Sequence, residues 1–173
     1  MQPRPWRRLA AWCIDWGCIL GWVALVAVVA VPLVLAQRGS LALTGNVAVE
    51  NLLAFAVTVA PVTAAFAVLE SRGATLGKRA LRIAVRAGES VPSLRAAAVR
   101  NLVKLALPWT LGHLVVFRLA ASDGAAPWWV VPVLVAAYAL PVASVVSLFR
   151  RDGRTPYDAL SGTRVVQVAA LGR

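Results

Sequence analysis

Four long apolar stretches occupy most of the chain: Gly17 to Ala36, Val49 to Leu69, Leu102 to Ala121 and Trp128 to Phe149. A helix needs about 20 mostly apolar residues to cross roughly 30 Å of hydrocarbon. Each stretch is therefore long enough to span a bilayer once, and none is long enough to span twice. With 60% hydrophobic and 14% charged residues, the chain lies outside the soluble globular range. Little of its 173 residues remains for a soluble domain. The expected fold is a single-domain, all-α integral membrane protein with four transmembrane helices.

Lys104, His113 and Arg118 interrupt the third stretch, and a charge at a helix centre costs at least ~2.5 kcal/mol to insert. Lys104 and Arg118 stand near its ends, however, where long side chains snorkel to the interface. Charge distribution supports the span. With four crossings, the N-terminal arginines, the segment from Arg72 to Lys104 and the tail from Arg150 to Arg173 share one side. Of 18 Lys and Arg, only Arg38 and Arg118 then fall opposite. Cytoplasmic loops carry such an excess, so both termini are expected to be cytoplasmic in a multi-pass cell-membrane protein. Three crossings would put the tail outside and spoil the pattern. Val34-Leu35-Ala36 ends the first stretch like a cleavage site, but the apolar run is too long for a signal peptide and Asp15 stands at its entrance. No cleavage is expected.

A net charge of +11 raises the question of nucleic acid. A nucleic-acid module needs a soluble basic face with groove-reading or stacking elements. Here the basic residues flank apolar spans, so no nucleic-acid partner is expected. Anionic lipid headgroups are the expected partner of the basic loop. Trp6, Trp12, Trp16 and Trp22 near one end, and Trp128 and Trp129 at the other, fit interfacial aromatic belts. Cys13 and Cys18 have no metal-ligand spacing and no loop cysteine to pair with; they read as buried thiols.

The connections differ in character. Gln37 to Ala48 reads as a short external loop and Ser122-Asp123-Gly124 as a tight external turn. The internal segment is longer. Arg82 to Arg86 alternates as a strand does, and Thr163 to Val168 in the tail is a matching piece. The two either pair, tying the tail to the central loop, or lie separately on the headgroups as amphipathic stretches.

Ionisable groups in apolar spans are costly and so are functional leads. Arg8 and Asp15 are seven residues apart, on nearly one helix face but about 10 Å apart along the axis. Asp15 therefore needs another partner. It either locks helices together or lines a polar path and binds a proton or cation. His113 lies mid-span; an imidazole titrates near neutrality, so it serves as a proton relay or makes one interhelical hydrogen bond. Glu70 is expected to pair with nearby Arg72. Glu50 opens the second span, where a helix N-terminus favours an acid. Asp158, among Arg150, Arg151, Arg154 and Arg164, is expected to take an arginine partner.

Arg8 and Asp15 in RRLAAWCID, and Asp158 in RTPYDALSGTRVV, resemble the RDD family of membrane proteins, named for one arginine and two aspartates. ESRGATLGKRALRIAV and SLRAAAVRNLVK are similar to its central segment, so the likeness covers nearly the whole chain. It implies a small multispanning protein, mainly bacterial, for which transport is one proposed activity. It supplies no substrate and no catalytic residue. Tyr157 precedes Asp158 where the family often has a histidine.

No nucleophile–base constellation, metal cluster or cofactor motif is present in the sequence. Gly77-Lys78 is followed by Arg79, which breaks the P-loop spacing. No enzymatic activity and no cofactor are expected. Two functions compete. In one, the protein moves a proton, cation or small solute, as a homo-oligomer because four helices enclose little polar volume; Asp15 responds to the ion, and Arg8 and Asp158 control access. In the other, it is a non-transporting membrane module in which those residues lock the fold and the basic loop docks lipid or a partner protein. The discriminating feature is whether Asp15 faces a hydrated cavity or a closed helix contact.

Overall fold

A computed structural model of the chain describes residues 3–36, 45–122 and 126–168. The first span lies within α1, Pro5–Ala36, of 32 residues. At 1.5 Å per residue it is roughly 48 Å long, more than the hydrocarbon needs. Its early turns, which carry Arg8 and Asp15, therefore extend towards the polar end of the bundle. Proline at the first helical position loses no hydrogen bond there.

The second span is α2, Val47–Ala54, a π-helical turn at Phe55–Val59, and α3, Ala60–Ser71. Asn46 caps α2, its side-chain oxygen accepting from the Ala48 and Val49 amides at 2.9 and 3.3 Å. A short helix, α4 (Leu76–Ala80), and a strand, β1 (Ile83–Arg86), follow. The third span repeats the broken pattern: α5 (Leu94–Asn101), a π-helical turn at Leu102–Ala106, and α6 (Leu107–Ala120). Then come α7 (Val130–Leu148), α8 (Pro156–Leu160) and β2 (Arg164–Gln167). All four spans are long and apolar enough to cross a membrane.

Each π turn precedes a proline, Pro61 or Pro108. Proline has no amide hydrogen to donate to the carbonyl four residues earlier, and the helix accommodates this by widening locally. The carbonyl so released at Val57 accepts the Trp22 indole N–H at 3.1 Å, tying α1 to the second span.

Among the described residues, two small cores form. Ile19, Val62, Phe66 and Leu105 meet inside the spans, with Trp16, Trp22 and Trp109 packed against them. Ala11, Ile83 and Val165 form the other, where α1 rests on the sheet. That sheet settles the open alternative in favour of pairing. β1 and β2 are antiparallel, with Ile83 opposite Gln167 and Arg86 opposite Arg164.

One expectation needs correction. Cys13 and Cys18 are exposed on α1 rather than buried, because among the described residues nothing covers that face of the helix. Trp16 and Trp22 pack against the core inside the spans, whereas Trp6 and Trp128 are exposed near opposite ends of the bundle. The expected loop at Gln37 to Ala48 falls mostly outside the described residues, as do Asp123 and Gly124 of the expected turn.

Candidate functional site

The basic segments converge at one end of the bundle, and a buried chain of alternating charges forms there. Glu70, at the end of α3, is fully buried. Its Oε1 accepts from Lys78 Nζ at 2.8 Å and Lys104 Nζ at 2.9 Å, and its Oε2 accepts from Asn101 Nδ2 at 2.9 Å. Arg100 Nε lies 2.9 Å from Oε2 but off the hydrogen-bond direction, so this contact is an ion pair only. Arg100 is itself 1% exposed. It continues the chain by donating to Asp158 Oδ1 and, at 2.8 Å, to Thr163 Oγ1. Its guanidinium also lies 4.8 Å from the centre of the Tyr157 ring.

Asp158 joins the two ends of the sequence. Arg8 Nη2 donates to its Oδ2 at 2.8 Å, and Arg8 Nη1 donates to the Gly153 carbonyl. A capping box holds the carboxylate in place: the Thr155 hydroxyl accepts from the Asp158 amide at 3.3 Å, and Asp158 Oδ2 accepts from the Thr155 amide at 3.1 Å. Burial alone would raise the Asp158 carboxyl. The charges of Arg100 and Arg8 outweigh it and hold the group at about 2, below its ordinary 3.8.

Asp15 occupies the other end of the chain of charges. Its Oδ2 accepts from the Thr75 hydroxyl at 2.7 Å and its Oδ1 from the Gly77 amide at 2.9 Å, while Lys78 Nζ lies 3.7 Å away. As expected, its partners come from elsewhere than Arg8. Gly77 makes this contact possible. A β-carbon there would sit 2.1 Å from the Ala11 carbonyl oxygen and 2.9 Å from Asp15 Oδ1. Gly→Ala in a helix ordinarily stabilises by roughly 0.5–1 kcal/mol. At Gly77 the sign inverts, since backbone on α1 has to move, and overpacking of this kind costs about 1–3 kcal/mol. Gly21→Ala, where the added carbon meets nothing within 4 Å, is the control expected to be neutral or stabilising. Thermal unfolding in detergent compares them; equal shifts for the two variants would refute the close contact.

Three of the four candidate residues thus belong to one network: Arg8, Asp15 and Asp158. His113 does not. It lies within α6 between Trp109 and Phe117, with ring centres 6.1 and 6.0 Å away. Glu70 does not pair with Arg72, which is exposed, but with cations from α4, α5 and the π turn beyond it. Lys104 likewise turns inward to Glu70 instead of snorkelling outward. The sequence signal for this pairing is the acid that closes the second span and the Asn101 and Lys104 that open the third, residues facing each other across adjacent antiparallel spans.

Above the network, a cavity of about 450 Å³ lies between α1, α6 and α7. Asp15, Lys78, Arg100 and Lys104 line its charged floor, and Trp16, Trp109, His113 and Ala137 line its walls.

A model of the RDD family matches residues 2–162 of the chain. The chain belongs to the RDD family. No curated protein and no solved structure matches it. In this RDD protein Arg8 and Asp158 are direct partners, and Asp15 connects to them through Lys78, Glu70 and Arg100. It is a multi-pass membrane-type protein with four candidate spanning helices.

Proposed function

We propose that this RDD protein is a non-transporting membrane module that engages anionic lipid, with Arg8, Asp15 and Asp158 serving to lock its helices. The observation that carries this is the commitment of every carboxylate in the network. Glu70 meets three cations and the Asn101 amide, Asp158 lies between two guanidinium groups, and Asp15 is held by Thr75 and Gly77 in a contact too tight for a β-carbon. A cation-carrying acid instead needs an oxygen free to exchange ligands. With the acids occupied, the surface of this end is dominated by exposed arginines, among them Arg79, Arg82, Arg150, Arg151 and Arg164. In the cell membrane, with both termini cytoplasmic, that surface faces anionic headgroups, worth about 1 kcal/mol per basic residue near the surface.

The transport alternative draws support from the cavity beside Asp15, which also reaches His113. Ion flux in proteoliposomes under imposed proton and sodium gradients separates the two. The expected result is no flux above empty liposomes for the wild type. Wild-type flux that disappears in a correctly folded Asp15→Asn variant would overturn the locking role and place Asp15 on a transport path.

A further inference from the structure

We propose that the cavity between α1, α6 and α7 is a binding site for one monoanionic lipid, its acid head on Lys104 and an acyl chain along the walls. This rests on and deepens the lipid-engaging reading. The floor supplies the charge argument. Three carboxylates, Asp15, Glu70 and Asp158, face four cations, Arg8, Lys78, Arg100 and Lys104, which leaves one positive charge in excess. A buried charge without a counterion is costly, and a single anion balances it.

Lys104 is the cation best able to receive that anion. An ammonium has three donors. Lys78 directs its own to Glu70 and Thr75 with Asp15 close by, whereas Lys104 has Glu70 as its hydrogen-bonded partner and lies over the Phe66 ring at 5.5 Å. The π turn at Leu102–Ala106 places it at the cavity floor.

The walls argue for an acyl chain over a small polar anion. Ile19, Leu105, Val115, Ala137 and Leu148 line the cavity, and its volume is within the range of about 300–1,000 Å³ usual for ligand sites. Trp12, Val116, Tyr138 and Val145 also line it, yet they are exposed on the face that a bilayer would cover. The cavity therefore opens sideways between α1 and α7, a route for a molecule already dissolved in hydrocarbon. Water in the same place would wet an apolar wall, and a neutral chain would leave the floor charge unbalanced.

Native mass spectrometry of the full chain, stripped of lipid in neutral detergent, tests this with four additions: oleate, phosphatidylglycerol, phosphatidylcholine and inorganic phosphate. One bound oleate or one bound phosphatidylglycerol per chain is expected, and which of them binds more tightly identifies the head as carboxylate or phosphodiester. Phosphate alone and phosphatidylcholine are expected to bind at least about tenfold more weakly. Lys104→Met removes the charge and should weaken the anionic lipid by about tenfold, the loss of one charge-assisted contact. Gly112→Leu tests the cavity without touching the network, since Gly112 lines it and a β-carbon there meets nothing within 4 Å. It should remove the single bound lipid even if Lys104→Met fails to fold. Wild-type occupancy in Gly112→Leu, or equal binding of phosphatidylcholine, would overturn the site. Reversing surface arginines such as Arg150 and Arg151 distinguishes the two levels of the proposal. It should weaken general attraction to anionic membranes and leave this one lipid bound.

Discussion

Glu70→Gln should be among the most destabilising single substitutions in this protein, lowering its unfolding free energy in detergent by about 3–5 kcal/mol. Glutamine preserves the shape and can still accept from Asn101, so packing changes little. What it removes is the negative charge that Lys78, Arg100 and Lys104 share, at distances of 2.8, 2.9 and 2.9 Å. With Glu70 and Arg100 both almost inaccessible, water cannot replace the lost partner, and breaking a buried pair from one side leaves an uncompensated charge. Combining the substitution with Lys104→Met should return part of the loss, because one stranded cation goes with it. A loss below about 1 kcal/mol, the scale of a solvated surface pair, would show that water reaches the network.

The spans were legible because length and hydropathy alone set them, and the sidedness of the arginines grouped the segments that do converge. Asp15 could be seen to need a partner other than Arg8, from axial distance alone. Its identity could not, since Thr75 and Gly77 approach only because α4 folds back on α1. Proximity in sequence misleads at Glu70, whose partners are Lys78, Arg100 and Lys104 and not Arg72. Residues two apart do not share a helix face, so Arg72 points away while Lys78, Arg100 and Lys104 arrive from other elements. Lys104 carried a usable signal, as a charge inside an apolar span requires a counter-charge on a neighbouring helix. Thr155-Pro-Tyr-Asp158 carried another: the hydroxyl and acid three residues apart mark a helix start, and that cap fixes the carboxylate between Arg8 and Arg100. The strands were visible as alternation; their pairing depended on where α1 and α5 bring the two segments together.

Asp158→Asn is the second large effect, and acid pH separates its charge from its shape. At neutral pH the variant should lose about 3–5 kcal/mol, because Arg8 and Arg100 both lose their anion. The folded carboxyl is held at about 2 against an ordinary 3.8. A depressed value means the stabilisation is complete above 3.8 and is lost as pH falls from there through about 2. At about 1.4 kcal/mol per tenfold, the part that titrates is worth roughly 2 kcal/mol. The variant has no such carboxyl, so it should lack this component of acid sensitivity while keeping that of the other acids. The gap between wild type and Asp158→Asn should therefore narrow on acidification, which unfolding curves at pH 7 and near pH 2 measure directly. A gap that stays constant would mean that the charge of Asp158 does not hold Arg8 and Arg100 together. In that case the cap at Thr155, rather than the ion pairs, would be what joins the tail to the first span.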